Sequence, residues 1–130
     1  MKTGYQKYKV TSVQSASREK LLLMMYEACI RFVKQAIQAI ETNNRAERGL
    51  NIGRAYDIVL ELNNTLDHQV GGDIASNLEQ LYMFITEQLT QANATGDPKH
   101  LENALKVLEI LHQGWVEAVA KLKKEESVDR

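Results

Sequence analysis

The sequence predicts an all-α fold, an antiparallel four-helix bundle with a mobile N-terminal arm. Apolar residues recur at helical spacing in four separate segments. The connections between those segments are short, which makes sequential helices antiparallel neighbours. One proline and two phenylalanines leave little material for strands, which favour aromatic and β-branched residues between turn clusters.

The first segment follows Ser17, a residue suited to capping a helix N-terminus. It reads Leu22, Met25, Cys29, Phe32, Val33, Ala36 and Ile40 before Thr42-Asn43-Asn44 ends it. The second carries Ile52, Ala55, Val59, Leu62 and Leu66, and stops before Gly71-Gly72. The third opens near Asp73 and reads Ile74, Leu78, Tyr82, Ile85, Leu89 and Ala92 until Gly96 breaks it. Asp97-Pro98 then pairs an N-cap with proline at the first helical position, where its missing N–H costs nothing. The fourth reads Leu101, Leu105, Leu108, Leu111, Trp115, Val119 and Leu122.

Each segment is about 20 residues, or about 30 Å of helix at 1.5 Å per residue. A chain of 130 residues has material for one such core. The expected organisation is an arm over residues 1–16, the bundle over 17–122, and a polar, frayed tail over 123–130. The arm shows no sustained period. Tyr5, Tyr8, Val10 and Val13 nevertheless make it too apolar for a purely solvated tail, so it is expected to lie across the bundle.

Charge and cysteine usage narrow the function classes. The formal net charge is −1, which gives a nucleic-acid partner no global support. The distribution is uneven: Lys2, Lys7, Lys9, Arg18 and Lys20 face only Glu19 at the front. From Ala55 to Pro98 there is no Lys or Arg, while Asp57, Glu61, Asp67, Asp73, Glu79, Glu87 and Asp97 are acidic. Cys29 is the only cysteine, so no internal disulfide forms and a reducing compartment fits best. The front end has no apolar core of a secretory signal. The run Leu21 to Ile40 is interrupted by Glu27, Arg31, Lys34, Gln35 and Gln38. That pattern makes a buried helix, not a membrane span, and the expected location is cytoplasmic without direct membrane insertion.

Catalytic signatures are lacking. A di-metal bundle needs Glu-x-x-His on two helices, and only Glu109-Ile-Leu-His112 offers it. His68 falls near a helix end and His100 in a first turn, so neither completes a second copy. His112 lies along the apolar stripe and reads as a hydrogen-bonded core histidine. Gly71-Gly72 has no strand before it and no phosphate-loop pattern. Cys29, amid apolar neighbours, reads as an inert thiol. No enzyme activity, metal or cofactor is expected.

Binding is the better-supported class, because several large apolar side chains fall off the core stripe. On the first helix these are Leu23, Ile30 and Ile37, seven apart, with Tyr26 beside them. The second adds Tyr56 and Leu60, the third Met83 and Phe84, and the fourth Ile110. Exposed single apolar residues are ordinary, but a row at heptad spacing suits a partner helix laid in a groove. Helix geometry favours the acidic second and third helices for that groove, hence Tyr56, Leu60, Met83 and Phe84. The row on the first helix then serves a second partner or self-association. Burying four or five such side chains gives about 10 kcal/mol gross at roughly 1.5–3 kcal/mol each. Ordering a disordered partner subtracts about 2–5 kcal/mol, leaving micromolar-range binding unless the partner wraps several faces.

Along nearly its whole length the chain resembles the FliS family of flagellar secretion chaperones. The resemblance rests on Tyr8 followed by Val13-Gln14-Ser15-Ala16-Ser17, then Lys20-Leu21-Leu22-Leu23-Met24-Met25-Tyr26-Glu27 and Ile30-Arg31-Phe32. It continues through Leu62-Asn63-Asn64-Thr65-Leu66, Gly71-Gly72-Asp73-Ile74-Ala75-Ser76-Asn77-Leu78 and Leu81-Tyr82, and closes with Ala92-Asn93, Asp97 and Trp115. Arg18 departs from the pattern, where proline often follows Ala-Ser, and this touches only the start of the first helix. The resemblance implies a cytoplasmic chaperone that holds the C-terminal segment of flagellin in apolar grooves, prevents premature polymerisation and delivers it to the type III export apparatus. It also implies an arm that shifts on binding, with Tyr8, and less directly Tyr5, docking the loaded chaperone on the membrane protein of the export gate. A generic helical adaptor or self-associating bundle with a different protein partner is the alternative reading of the same surface.

Overall fold

The computed structural model describes residues 18–128, with side chains through Glu126. The expected arm, with Tyr5 and Tyr8, and the expected cap Ser17 lie outside the described residues. Four helices follow in order: α1 (Arg18–Glu41), α2 (Arg45–Asn64), α3 (His68–Thr95) and α4 (Pro98–Val128).

Side chains and turn residues set the helix ends. Asn43 takes a left-handed φ of 56° after α1, and the Asn44 N–H returns to the Ala39 carbonyl at 2.8 Å. Asn44 then caps α2, its Oδ1 accepting the Glu47 N–H at 3.1 Å. Gly96, at φ 73°, closes α3 with its N–H on the Ala92 carbonyl at 2.8 Å. Arg48 reaches across from α2 and donates Nη2 to the Asn93 carbonyl at 3.2 Å, satisfying another open acceptor of that helix end. Asp97 Oδ1 accepts the Lys99 N–H at 3.0 Å, so the Asp-Pro start of α4 forms as expected.

The second connection differs from the sequence expectation. Helix α2 stops at Asn64 instead of running to Leu66, and α3 opens at His68, ahead of Asp73. Asp67 is the reason: its Oδ1 accepts the N–H groups of Gln69 and Val70 at 3.0 and 3.1 Å, which starts a helical turn early. That turn meets the main rod at Gly72, whose φ of 50° and ψ of −123° are not helical. A Cβ on Gly71 would stand 3.0 Å from the Ala75 Cβ, so the double glycine serves close approach and backbone freedom together. At the other end α4 runs past Leu122 to Val128, and the side chains from Lys121 to Glu126 are exposed.

Consecutive helices pack on one another and α4 closes the ring against α1. Cross-helix contacts fix the antiparallel sense. Arg48 meets Asn93, His100 Nδ1 lies 3.0 Å from Gln88 Oε1, and Trp115 reaches Tyr26. The core holds Cys29, Val33 and Ala36 with Ile52, Ala55, Val59, Leu62, Ile85, Leu89, Leu101 and Leu108. Two expected core positions are solvent-facing. Ile74 is 69% exposed, and Ala75, seven residues before Tyr82, takes the inward position instead. Leu122 is also exposed, beyond the last buried residue of α4, Val119.

The core contains one polar junction. The Tyr26 and Tyr82 hydroxyls are hydrogen-bonded to each other, and Trp115 Nε1 donates to Tyr26 Oη at 3.2 Å. Burial raises both phenol pKa values, Tyr82 further because its hydroxyl is bonded to Tyr26. Cys29 donates its thiol to the Ala55 carbonyl at 3.6 Å, and burial pushes its pKa up to about 12. A thiol so placed stays protonated and unreactive, as its sequence context suggests.

Candidate protein-binding surface

Residues three, four or seven apart share a helix flank, so contacts of known sense identify which flank meets which neighbour. On α1, His112 of α4 lies 3.4 Å from Glu27 and Trp115 bonds Tyr26, so this flank faces α4. Leu23 and Ile30 stand four before and three after Glu27, and Ile37 seven beyond Ile30. The row expected to serve a second partner therefore lies in the α1–α4 seam. Ile30 and Ile37 pack against the core, and Leu23 is half-buried. Tyr26 is wholly buried and belongs to the polar junction, not to a surface row. The helical stripe misleads here because a helix in a closed ring buries two flanks as well as its inward face.

The groove candidates divide between two seams. Gly49 of α2 faces Asn93 of α3, which marks the flanks joining these helices. Tyr56 and Leu60 follow Gly49 at seven and eleven residues, while Met83, Thr86 and Thr90 precede Asn93 on its flank. Tyr56 packs against the core, whereas Leu60 and Met83 are exposed, Met83 by 62%. These three border the α2–α3 seam. Phe84 does not. It shares the opposite flank of α3 with Gln88, which contacts His100 and Asn103 of α4.

That opposite flank carries the larger exposed apolar row. Seven-residue steps place Leu81 and Ile74 in line with Gln88, and Phe84 lies four before it; all three apolar side chains are exposed. From Asn103 the facing flank of α4 runs through Val107 to Ile110, the latter 64% exposed. The core period along the helix does not mark Leu81 and Ile74 for this surface, because Ile74 fits that period and Leu81 is a single side chain between periods. Their seven-residue spacing was the available signal. Met83 and Phe84 also line a shallow depression on the outer face of α3, with Gln80, Glu87 and Gln91. Glu87 borders the depression, and α3 carries no Lys or Arg.

His112 is half-buried in the α1–α4 seam, and its Nε2 makes no aligned hydrogen bond although Glu27 Oε1 is 3.4 Å away. The expected hydrogen-bonded core histidine is thus a seam residue beside a carboxylate. Among the described residues no three or more His, Cys, Asp or Glu side chains group as metal ligands. No described helix is long and apolar enough to cross a membrane.

A closed antiparallel helical ring with an apolar core and an uncovered apolar seam defines the class of a protein-binding helical bundle. Residues 1–122 match the family profile of the flagellar protein FliS, and the chain belongs to the FliS family. It is 35% identical over 119 residues to the flagellar secretion chaperone FliS of Vibrio cholerae, covering 88% of each chain. It is 28% identical over 121 residues to that of Bacillus subtilis, covering 93% of this chain and 90% of the relative. The flagellar secretion chaperone FliSB of Pseudomonas aeruginosa is 30% identical over 103 residues, with coverage of 79% and 82%. The family is one of chaperones, not enzymes, and this chain is accordingly a flagellar export chaperone.

Proposed function

We propose that the chain binds the disordered C-terminal segment of flagellin in the cytoplasm, blocks its premature polymerisation, and delivers it to the flagellar type III export apparatus. The observation that carries this reading is the exposed row of Phe84, Leu81, Ile74 and Ile110 along the α3–α4 seam. A row at seven-residue spacing beside a neighbouring helix is a groove for a third, amphipathic helix. Leu60 and Met83 extend the apolar surface around α3 towards α2, so a segment that wraps the bundle meets both seams. Tyr8, outside the described residues, is the proposed contact of the loaded chaperone with the membrane protein of the export gate.

The test is a binding assay of the flagellin C-terminal segment against Leu81→Glu, Phe84→Glu and Leu60→Glu. Each places a carboxylate where an apolar contact is proposed, with weakening of about tenfold or more expected for the α3 variants. Unchanged helicity alongside that loss supports the groove. Unchanged affinity in all three sets this surface aside.

A further inference from the structure

The face formed by α1 and α2 lies across the ring from the α3–α4 seam and has different chemistry. Phe32 sits on the α2 side of α1, partly buried against the core. Two guanidiniums cover its ring: Arg31 Cζ lies 5.4 Å from the ring centre and Arg54 Cζ 5.6 Å. Both distances are within cation–π range, so the ring holds one arginine from each helix in place. Both arginines are exposed. Among the described residues neither guanidinium has a carboxylate within 4.0 Å. Asp57 and Glu61 follow Arg54 by three and seven residues on α2, and Glu27 precedes Arg31 by four on α1, yet each carboxylate stays beyond that distance.

We propose that Arg31, Phe32 and Arg54 form a docking site for an acidic segment of a second protein, engaged while the α3–α4 seam holds its own partner. A guanidinium presents a planar fork that matches a carboxylate through two hydrogen bonds. Arginine and aromatic side chains together are the usual chemistry of interface anchors. Two guanidiniums held on one ring offer two such forks to an acidic helical segment, whose carboxylates at i and i+4 share one face. Nucleic acid fits less well. A ring already covered by guanidiniums is not free to stack on a base, and a chain of net charge −1 offers no cationic track for a phosphate backbone.

The experiment is an NMR titration of the full chain, free and loaded with the flagellin C-terminal segment. The probe is a synthetic alanine-rich helical peptide with Glu at i and i+4, and its Gln counterpart is the control. The Glu peptide is expected to shift the side-chain Nε–Hε signals of Arg31 and Arg54, and the Gln peptide to leave them unmoved. Arg31→Gln/Arg54→Gln should weaken binding about tenfold, and Arg31→Lys/Arg54→Lys by less, since lysine keeps the charge but not the fork. Flagellin-segment binding should be the same in these variants, and the loaded chain should take the Glu peptide as well as the free one does. Equal affinity of the double Gln variant overturns the proposal, as does displacement of the peptide by the flagellin segment. An oligodeoxynucleotide that binds these two arginines as tightly as the Glu peptide also overturns it, by reassigning the site to polyanions.

Discussion

Trp115 of α4 donates its indole N–H to the Tyr26 hydroxyl of α1 across 3.2 Å, and the same hydroxyl is bonded to Tyr82 of α3. One buried oxygen thus ties three of the four helices. It fixes their register where aliphatic packing alone would tolerate sliding. Removing it leaves the buried Tyr82 hydroxyl without its partner, at about 1–3 kcal/mol, and the half-buried Trp115 N–H without its own. Tyr26→Phe is therefore expected to destabilise by more than Tyr82→Phe, which leaves Tyr26 bonded to Trp115. Urea unfolding followed by Trp115, the only tryptophan, measures both.

Alkaline sensitivity follows from the same core. Cys29 has an ordinary pKa of 9.0 and is raised to about 12 in the folded chain. The folded state keeps a proton that the unfolded state releases, so stability is full below about pH 9 and falls as pH rises towards 12. The slope from one such group is about 1.4 kcal/mol per pH unit. Tyr26 and Tyr82, both raised, add to the fall above the ordinary phenol value of 10.0. Denaturant midpoints for Cys29→Ala should fall less steeply than those of the parent chain between these values.

Gly72 should resist substitution for backbone reasons alone. His68 Nε2 and Glu79 Oε2 meet at 3.1 Å, yet residues so far apart on a straight helix stand about 16 Å apart along its axis. Only the elbow at Gly72 folds the first turn back to allow the contact. Space around Gly72 is open, so Gly72→Ala is expected to cost about 1–3 kcal/mol through its positive φ and to speed hydrogen exchange in residues 68–71. Gly53→Ala is the control. Nothing crowds that position inside α2, and alanine there should stabilise by about 0.5–1 kcal/mol.

The two apolar rows should separate in experiment. Ile30→Ala empties a place in the α1–α4 seam and is expected to cost about 2 kcal/mol with no change in partner binding. Leu81→Glu should do the reverse, leaving the urea midpoint nearly unchanged while weakening the flagellin segment. If Ile30→Ala weakens binding at unchanged stability, the α1 row is a docking surface after all.

Helix number, antiparallel order and most of the core were legible because Ile52, Ala55, Val59 and Leu62, or Tyr82, Ile85, Leu89 and Ala92, repeat at an unbroken period. The elbow was not. Gly71-Gly72 signals a break, but only the Asp67 carboxylate caging two N–H groups places a helical turn before it. The binding surface was legible in part. Sequence spacing identifies apolar residues off the stripe, but which neighbour a flank meets is settled by contacts between distant residues. Ile30 and Ile37 were thus expected outside and lie in a seam, while Ile74 was expected inside and lies in the open. Phe84 was rightly expected to be exposed, on a flank the spacing alone does not distinguish from that of Met83.

The most direct test of the central claim is calorimetric titration of the full chain with the C-terminal segment of its own flagellin, with circular dichroism on the same samples. The account predicts saturable binding near one to one and more helix in the mixture than in the separate parts, as the segment folds onto the bundle. No heat and no added helix at about tens of micromolar, well within the micromolar range estimated from buried apolar area, would contradict it.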